Sequence, residues 1–336
     1  MVAMSFDVFG MCNALYDLQA EVDDAVLDEL GLQKGSMTLI DEDQQRRIVP
    51  RIYTHLVNTE SGGSGANTMF GVALLGGTSC YTSRVGIDEH ADLYRKGLAG
   101  RGVKPNLGVG AGATGISLVL VTPDAQRTMC TFLGQARELR KEDVKLDDLR
   151  ESKYLYVTGY LWDTENQKDA VLHAMQEANR AGVKVALSLS DPFCVTRHKE
   201  DFLHIIEEHV DLLFGNFQEA QVMTDTDNPH DAVRALAQHS EVAVVTMDDK
   251  GSLICNGAEL YEIPAYPVTA VDTTGAGDMY AAGLLYGLTQ GLSLEITGRI
   301  ASYAAAQVVA KMGPRLERID QSAIGRLRKG ADLSEL

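Results

Sequence analysis

Residues 153–214 show a regular alternation of short apolar runs and longer amphipathic segments, and this alternation restricts the possible folds more than any other feature. The apolar runs are 153–158, 183–190 and 211–214, and the amphipathic segments are 164–181 and 198–209. Strands that alternate with helices at such spacing form a parallel sheet covered on both faces. The sequence therefore predicts an α/β fold built on a doubly wound, mostly parallel sheet.

The length and net charge of the chain limit the classes of molecule that we expect it to bind. The chain has 336 residues, 45% of them hydrophobic, and a net charge of −17. That length and composition suit one large α/β domain with a small appendage as well as two domains. Because phosphate backbones and anionic lipids bind basic surfaces, we expect neither nucleic acid nor a membrane as a partner. A small molecule remains the expected ligand, with the protein a monomer or a homodimer.

The cysteines and the N-terminus indicate a compartment. Five cysteines are scattered without metal-binding or CxxC spacing, which favours free thiols in a reducing environment over a disulfide framework. No stretch approaches the ~18 consecutive apolar residues of a membrane span. The first ten residues carry Asp7 within an apolar run and lack a basic segment, unlike a signal peptide. We expect a cytoplasmic protein.

The segment with the most chemical character is Asp272-Thr273-Thr274-Gly275-Ala276-Gly277-Asp278, which precedes an apolar helical pattern. Gly275, Ala276 and Gly277 would lie at a helix N-terminus, where free N–H groups and the helix dipole attract anions. A carboxylate at Asp278 would repel such an anion, so it suits a base that deprotonates a hydroxyl beside a bound phosphoryl group. The same residues also fit a glycine-rich turn with Asp278 as an ordinary residue of the first helical turn.

The seven-residue segment matches the DTxGAGD motif and thereby resembles the PfkB-type, or ribokinase-like, carbohydrate and nucleoside kinases. The resemblance extends over most of the chain and implies an ATP-dependent, Mg²⁺-assisted kinase. It assigns the role of base to Asp278 and the binding of the transferring phosphoryl group to Gly275, Ala276 and Gly277. In some relatives a monovalent cation such as K⁺ binds at the positions of Asp272 and Thr274.

Two further segments resemble the acceptor-binding elements of this family. Asn13 and Asp17 follow the first strand in place of a dinucleotide-binding glycine motif, and an ionised carboxylate accepts from two neighbouring hydroxyls. Cys12 stands where the family usually has glycine. Gly62, Gly63 and Asn67 match a GG-x-x-x-N element that contacts the sugar, although a flexible linker is the alternative for this glycine-rich stretch.

The nucleotide side is expected in the second half of the chain. Asn216 and Glu219 match the family's N-x-x-E motif, which implies that Glu219 holds Mg²⁺, in our interpretation through water. The alternative is a helix capping box, which has the same spacing. Thr246 and Gly251 stand where the family presents residues near the nucleotide phosphates, although Met247 and Asp248 replace the usual glycine-containing turn.

A predicted hairpin interrupts the alternation of strands and helices. Residues 114–122 and 126–134 are extended runs joined by a turn. We expect segments near 13–50 and 104–136 to form a small β-sheet lid on a single domain that spans 1–336, with 104–112 as a hinge or loop. Met129, Phe132 and Leu133 would line the acceptor pocket, or else form only the core of the lid.

Three functions compete at this stage. A kinase for a nucleoside, with adenosine first, is favoured because residues 13–17 and 189–193 resemble the nucleoside-kinase branch. A kinase for ribose, fructose or a related sugar is the alternative within the same family. A catalytically silent binding regulator and an NAD-dependent oxidoreductase are the more distant alternatives; the intact Asp278 and Glu219 disfavour the first, and the missing glycine motif disfavours the second.

Overall fold

The computed structural model describes residues 5–124 and 126–336, within which there are fourteen strands and twelve α-helices. The strands are β1 Phe6–Met11, β2 Leu15–Glu21, β3 Met37–Leu39, β4 Leu56–Gly62, β5 Ser79–Val85, β6 Val103–Val109, β7 Gly115–Val121, β8 Arg127–Phe132, β9 Ser152–Thr158, β10 Lys184–Ser188, β11 Leu212–Asn216, β12 Val242–Thr246, β13 Ser252–Cys255 and β14 Leu260–Ile263. The helices are α1 Asp24–Leu30, α2 Glu42–Ile52, α3 Ser64–Leu74, α4 Glu89–Gly100, α5 Leu146–Arg150, α6 Glu165–Ala181, α7 Pro192–His209, α8 Phe217–Thr224, α9 Pro229–Leu236, α10 Ala276–Thr289, α11 Leu294–Val309 and α12 Gln321–Arg328.

A large sheet of nine strands forms the centre of the fold, in the order β14-β13-β12-β11-β10-β9-β1-β5-β6. All neighbours from β12 to β6 are parallel, whereas β13 and β14 are added antiparallel at one edge. Along β1, Val8 belongs to the hydrophobic core on one face and Phe9 to the core on the other. The prediction of a doubly wound, mostly parallel sheet is confirmed.

The predicted alternation of strands and helices is present, with one change in helix length. Helix α7 begins at Pro192 rather than near His198. Asp191 caps it by accepting a 2.7 Å hydrogen bond from the backbone N–H of Cys194, and Pro192 suits the first helical position. At His198 the backbone leaves helical geometry, with φ −126°. The regular apolar spacing begins only after this break, so the sequence pattern predicted only the part of α7 that follows it.

A second, smaller sheet has the order β3-β8-β7-β2-β4. The predicted hairpin is present as the antiparallel pair β7 and β8. The small sheet also includes β4, which lies outside the segments expected to form it. By contrast, residues 103–109, expected to be part of a hinge or loop, form β6 at the edge of the large sheet. An edge strand tolerates Pro105, which lacks the N–H group that an interior strand needs.

Residues 266–271 join neither sheet, and they lead directly to the segment 272–278. The N–H groups of Val271 and Asp272 both donate to the carbonyl of Val309 at the end of α11, at 2.9 and 3.2 Å. This contact places the start of α10 beside the end of α11, and the two helices pack together.

All five cysteines are buried free thiols, as predicted. Among the helices of the described residues, none combines the length and the apolar character that crossing a membrane requires.

Candidate active site

Helix α10 begins where the sequence predicted an anion site. Gly275 is its N-cap and adopts a left-handed conformation with φ +79°, and a β-carbon there would lie 2.4 Å from the carbonyl oxygen of Pro314. Gly277 is exposed, and a β-carbon there would meet no atom within 4 Å. The N–H group of Ala276 donates to the carbonyl of Thr273 at 3.2 Å. The open surface at Gly277 is therefore the place where a phosphoryl group can approach the first helical turn.

Asp278 lies in that first turn and is held by two residues of α3. Ser64 Oγ donates to Asp278 Oδ1 at 2.5 Å, and Asn67 Nδ2 donates to Asp278 Oδ2 at 2.9 Å. Burial raises the pKa of Asp278 above its ordinary value, although both hydrogen bonds and the charge of Arg315 oppose the rise. A carboxylate with fixed orientation and a raised pKa has the properties of a general base. The sequence pattern identified Asn67 here but not Ser64.

Asn67 has one polar atom left over. Its Oδ1 is buried and has no hydrogen-bond partner among the described residues. A buried acceptor without a partner is unfavourable unless a ligand or water supplies a donor. The amide of Asn67 can therefore hold Asp278 through its nitrogen while it accepts from a substrate hydroxyl through its oxygen.

A tight turn at residues 62–64 connects the surroundings of Asp278 to those of Asp17. Gly62 lies so close to Asp17 that a β-carbon would be 2.1 Å from the carboxylate. Gly63 is the N-cap of α3 with φ +89°, and a β-carbon there would be 2.5 Å from the carbonyl oxygen of Asn13. Both positions thus require glycine for steric reasons. The alternative of a flexible linker is wrong, since the turn is packed on both sides.

Asp17 is paired with Arg315, which the sequence analysis did not identify. Arg315 Nη2 lies 2.7 Å from Asp17 Oδ2, and Arg315 Nη1 lies 3.0 Å from Glu60 Oε2 and donates to the carbonyl of Ser61. The arginine side chain is only 4% exposed. Burial raises the pKa of Asp17 to about 7; Arg315 opposes this rise and Glu60 adds to it. One buried cation therefore orients two carboxylates next to the turn at 62–64.

Asn13 is held in place through its side-chain oxygen and its backbone carbonyl. Its Oδ1 accepts a 2.8 Å hydrogen bond from Gln167 Nε2, and its backbone carbonyl accepts from Tyr81. The side chain is buried and its oxygen fixes the segment between β1 and β2, while its Nδ2 donates no hydrogen bond within the described residues. Cys12, the departure from the family pattern, fits because Gly65 lacks a β-carbon, which would lie 2.4 Å from the Cys12 Cβ.

Strand register decides which side chains share a face with Asp17. Directly paired residues in adjacent strands lie on the same face, and successive residues alternate between faces. The cross-strand row through Asp17 runs Glu60, Asp17, Ser117, Thr131 and Leu39. The next row on the same face runs Asn58, Gln19, Val119, Met129 and Met37. The face is polar beside Asp17 and apolar towards β3.

This register corrects the expected acceptor pocket. Met129 shares the face of Asp17, but Phe132 pairs with Ile116, which pairs with Tyr16 on the opposite face. Phe132 packs against the hydrophobic core there. Residues three apart in a strand point to opposite faces, so Met129 and Phe132 do not line one pocket. Leu133 lies just past the end of β8, half-buried, and its carbonyl is packed against Gly115.

Asn216 and Glu219 form the capping box that was the alternative interpretation of their motif. Asn216 Oδ1 accepts from the Glu219 N–H at 2.9 Å, and Glu219 accepts from the N–H and the Nδ2 of Asn216 at 3.0 and 2.7 Å. Glu219 is buried, and burial raises its pKa to about 7, with a further rise from the charge of Asp191. A capping glutamate normally lies at the surface, so the burial of this one needs a further reason.

The two remaining nucleotide-side candidates lie at the end of β12. Thr246 is the last residue of β12, pairs with Asn216 and Ser252, and is half-buried. Gly251 has φ +89°, and a β-carbon there would be 2.0 Å from the carbonyl oxygen of Ile263. Gly251 thus has a structural role in a tight turn. Of these two residues, only Thr246 lies at the carboxyl ends of β11 and β12. Open α/β sheets bind ligands at this edge.

Asp272 and Thr274 do not form an open site for a monovalent cation. Arg127 Nη2 lies 2.6 Å from Asp272 Oδ2, and Arg127 Nη1 donates to Thr274 Oγ1 at 3.2 Å. The expected K⁺ ligands therefore hold a guanidinium group. In the described part of the chain, no three acidic, histidine or cysteine side chains are grouped to hold a metal ion.

Several known proteins resemble this chain in sequence and in fold. Residues 35–320 match the pfkB family of carbohydrate kinases. The structure resembles that of an adenosine kinase from Sinorhizobium meliloti, with 37% identity, a TM-score of 0.85, and 97% of this chain and 99% of that chain covered. It also resembles a probable sugar kinase from Rhizobium etli, with 36% identity, a TM-score of 0.88, and 96% and 98% covered.

A sequence relative has a different activity by name. The 5-dehydro-2-deoxygluconokinase of Halalkalibacterium halodurans is 28% identical over 263 residues, which cover 74% of this chain and 80% of the relative. Similarity thus extends to kinases of sugars and of a nucleoside alike. Because the family match covers most of the chain, this protein belongs to the pfkB family of carbohydrate kinases and is a phosphotransferase that acts on a hydroxyl group of a sugar or nucleoside.

Proposed function

We propose that this protein transfers the γ-phosphoryl group of ATP to a primary hydroxyl group of a nucleoside, with adenosine as the favoured acceptor. The observation that carries the proposal is the turn at residues 62–64. Gly62, at one end of the turn, packs against the carboxylate of Asp17. Ser64, at the other end, donates a hydrogen bond to the carboxylate of Asp278. An acceptor whose sugar hydroxyls bind Asp17 thereby places a neighbouring hydroxyl near the base.

The chain's own residues supply three parts of the reaction. Asp278 accepts the proton of the attacking hydroxyl, and Ser64 and Asn67 keep its carboxylate in place. The N-terminal turn of α10 around Gly277 stabilises the charge on the transferring phosphoryl group. Mg²⁺ neutralises the phosphates when bound, and we assign Glu219 the role of holding a water ligand of that ion. The buried carboxylate of Glu219 is then explained by function, whereas a cap alone does not need burial.

We propose that the small sheet acts as a lid over this site. It carries Asp17 on β2 and Arg127 on β8, and both side chains reach residues beyond the small sheet, Arg315 and Asp272. A closed lid excludes water, which would otherwise compete with the acceptor for the phosphoryl group. Asp17 and the apolar side chains of the same face would close over the acceptor together.

We infer the class of acceptor from the change in polarity across the face of the small sheet that carries Asp17. Ser117 and Thr131 follow Asp17 in its row, and the apolar side chains Leu39, Met37 and Met129 lie farther out. Leu39 and Met37 are each 54% exposed, and exposed apolar side chains on one face indicate a binding surface. Strands are ~4.8 Å apart, so this surface begins two strands away from Asp17. A nucleoside reaches that far with its flat base, whereas a free sugar does not.

The second candidate is a kinase of a free sugar or sugar acid. The similarity to the probable sugar kinase of Rhizobium etli and to the 5-dehydro-2-deoxygluconokinases favours it. Asp17 and Asn67 would bind the hydroxyls of either acceptor, so they do not distinguish the two. Each buried hydroxyl left without a partner costs about 1–3 kcal/mol, and the outer part of the lid face offers few partners. For this reason we prefer the nucleoside.

A matched pair of variants on β8 tests the acceptor. In an ADP-release assay with Mg-ATP, Met129→Ala should raise the KM for adenosine severalfold and leave the kcat nearly unchanged. Phe132→Ala, on the opposite face of the same strand, should leave that KM unaltered and lower only the stability. The assay should include inosine, guanosine, ribose and fructose. Efficient turnover of a free sugar with all nucleosides inert would contradict the nucleoside proposal and leave the kinase assignment intact.

The buried free thiols also bear on location. Reduced cysteines persist in a reducing compartment, so we propose that the protein acts in the cytoplasm. Fractionation of cells that express the protein, followed by immunodetection, tests this directly. Recovery in a secreted or membrane fraction would contradict it.

A further inference from the structure

The guanidinium of Arg127 is enclosed by the loop before α10 and the loop after α11. It pairs with Asp272 Oδ2 at 2.6 Å, donates to Thr274 Oγ1 at 3.2 Å and contacts Met312 Sδ at 3.1 Å. The side chains of Arg127 and Asp272 are 13% and 8% exposed. The positive charge of Arg127 is therefore held by fixed partners within the fold and is not a solvated surface charge.

Asp272 also accepts hydrogen bonds from two backbone N–H groups of the chain. Its Oδ1 accepts from the N–H of Thr274 at 3.0 Å, and its Oδ2 also accepts from the N–H of Gly313 at 2.7 Å. Burial by itself would raise the pKa of Asp272, but these hydrogen bonds and the charge of Arg127 lower it overall. The carboxylate is thus ionised and held by Arg127 and two backbone N–H groups, and a second cation in contact with it would be repelled by Arg127.

We propose that Arg127 takes the place of a monovalent cation beside α10, so that this protein needs neither K⁺ nor Na⁺. The proposal rests on the proposed function, because it concerns the environment of the same helix N-terminus. It differs from the expectation drawn from the family resemblance, which assigned Asp272 and Thr274 to such a cation.

The position of Arg127 in the fold has a consequence for closure. Arg127 belongs to β8 of the small sheet, whereas Asp272 and Thr274 precede α10. A dissolved ion can bind this loop independently of the lid. The guanidinium group of Arg127, by contrast, lies beside this loop only when the small sheet is closed over the site. The positive charge next to the N-terminus of α10 therefore depends on closure of the lid.

The test compares thermal unfolding of the ligand-free protein in KCl, NaCl and choline chloride at equal ionic strength. Equal ionic strength removes the general screening of surface charges. We expect the same Tm for the wild-type protein in all three salts. Arg127→Gln should show a saturable rise of roughly 2 °C or more in KCl over choline chloride, since an ion that binds only the folded state stabilises it. Arg180→Gln removes an exposed ion pair on α6 and should show no such rise.

Two results of the thermal-unfolding test would overturn the inference. One is a saturable, K⁺-specific rise in the Tm of the wild-type protein, which needs no variant to observe. The other is a folded Arg127→Gln protein whose Tm is the same in all three salts. Neither readout involves turnover, so a failed kinase assay leaves this test valid. As a second readout, the rate of ADP release by the wild-type protein should be the same in K⁺ and Na⁺, and a severalfold preference for K⁺ would count against the inference.

Discussion

Ser64 Oγ donates a 2.5 Å hydrogen bond to Asp278 Oδ1, which joins the first turns of two helices that lie 214 residues apart in the sequence. Asn67, one helical turn after Ser64, donates to the other carboxylate oxygen. Both bonds favour the ionised form of Asp278 against the effect of burial. The pair thus sets both the orientation and the protonation of the group to which we assign the role of base.

Removal of the Ser64 hydroxyl should change the pH profile of the reaction. Ser64 lowers the pKa of Asp278, so Ser64→Ala should raise that pKa further. A base must be ionised, and its activity is lost as the pH falls through its pKa. The acidic limb of kcat against pH should therefore move to higher pH in Ser64→Ala. Ser64→Thr, which keeps a hydroxyl, should restore part of the shift. An unchanged acidic limb would mean that Ser64 has only a structural role.

Replacement of Arg315 should destabilise the protein strongly. Arg315→Gln leaves Asp17 and Glu60 without their shared cation, and breaking a buried ion pair by removal of one partner costs about 3–5 kcal/mol. Arg101 also approaches Glu60, at 3.4 Å, but its side chain is 34% exposed. Arg101→Gln should therefore change the free energy of unfolding by less than about 1 kcal/mol. Urea denaturation of both variants checks this, and equal effects would contradict the assigned role of Arg315.

Glu219→Gln should stabilise the protein at alkaline pH. Burial raises the pKa of Glu219 to about 7 in the folded state, above its ordinary value of 4.5. The folded state thus holds this proton more tightly, and the stability it contributes is present below about pH 4.5 and lost as the pH rises through about 7. Glutamine removes the charge and can still accept from the N–H of Asn216, but with one acceptor oxygen it loses the bond from Asn216 Nδ2. At pH 8 the variant should gain up to about 3 kcal/mol over the wild type.

The control for Glu219 is the same comparison at low pH in metal-free buffer. The difference in unfolding free energy between the variant and the wild type should shrink as the pH falls towards 5. In the kinase assay, Glu219→Gln should need more Mg²⁺ for half-maximal rate. A stability difference that does not depend on pH would contradict the raised pKa, and an unchanged Mg²⁺ titration would leave Glu219 with its capping role alone.

The parts of the site that depend on local spacing were predictable from the sequence. The start of α10 at Gly275 follows from small residues before an apolar helical pattern, and Gly62 and Gly63 precede α3 in the same way. The large parallel sheet followed from the alternation of strands and helices. These features depend on residues within one or two turns of each other, and a sequence pattern contains that information.

The parts that depend on contacts between distant segments were not predictable. Arg315 lies 298 residues from Asp17, and Arg127 lies 147 residues from Thr274, so no local pattern connects them. The sequence left open whether Phe132 lines the acceptor pocket or belongs to the core of the lid, because the face of a strand residue depends on the register with its neighbours. Phe132 pairs with Ile116 on the face opposite Asp17, and no local pattern contains this pairing.

The central claim is that Asp278 is the base in phosphoryl transfer, and one comparison tests it most directly. The rate of ADP release with Mg-ATP and adenosine is measured at saturating concentrations for the wild type and Asp278→Asn, with KM and thermal stability determined in parallel. The account predicts that Asp278→Asn folds, keeps nearly the same KM and loses about 10²–10⁴ in kcat. A folded Asp278→Asn protein with near-normal kcat would contradict it.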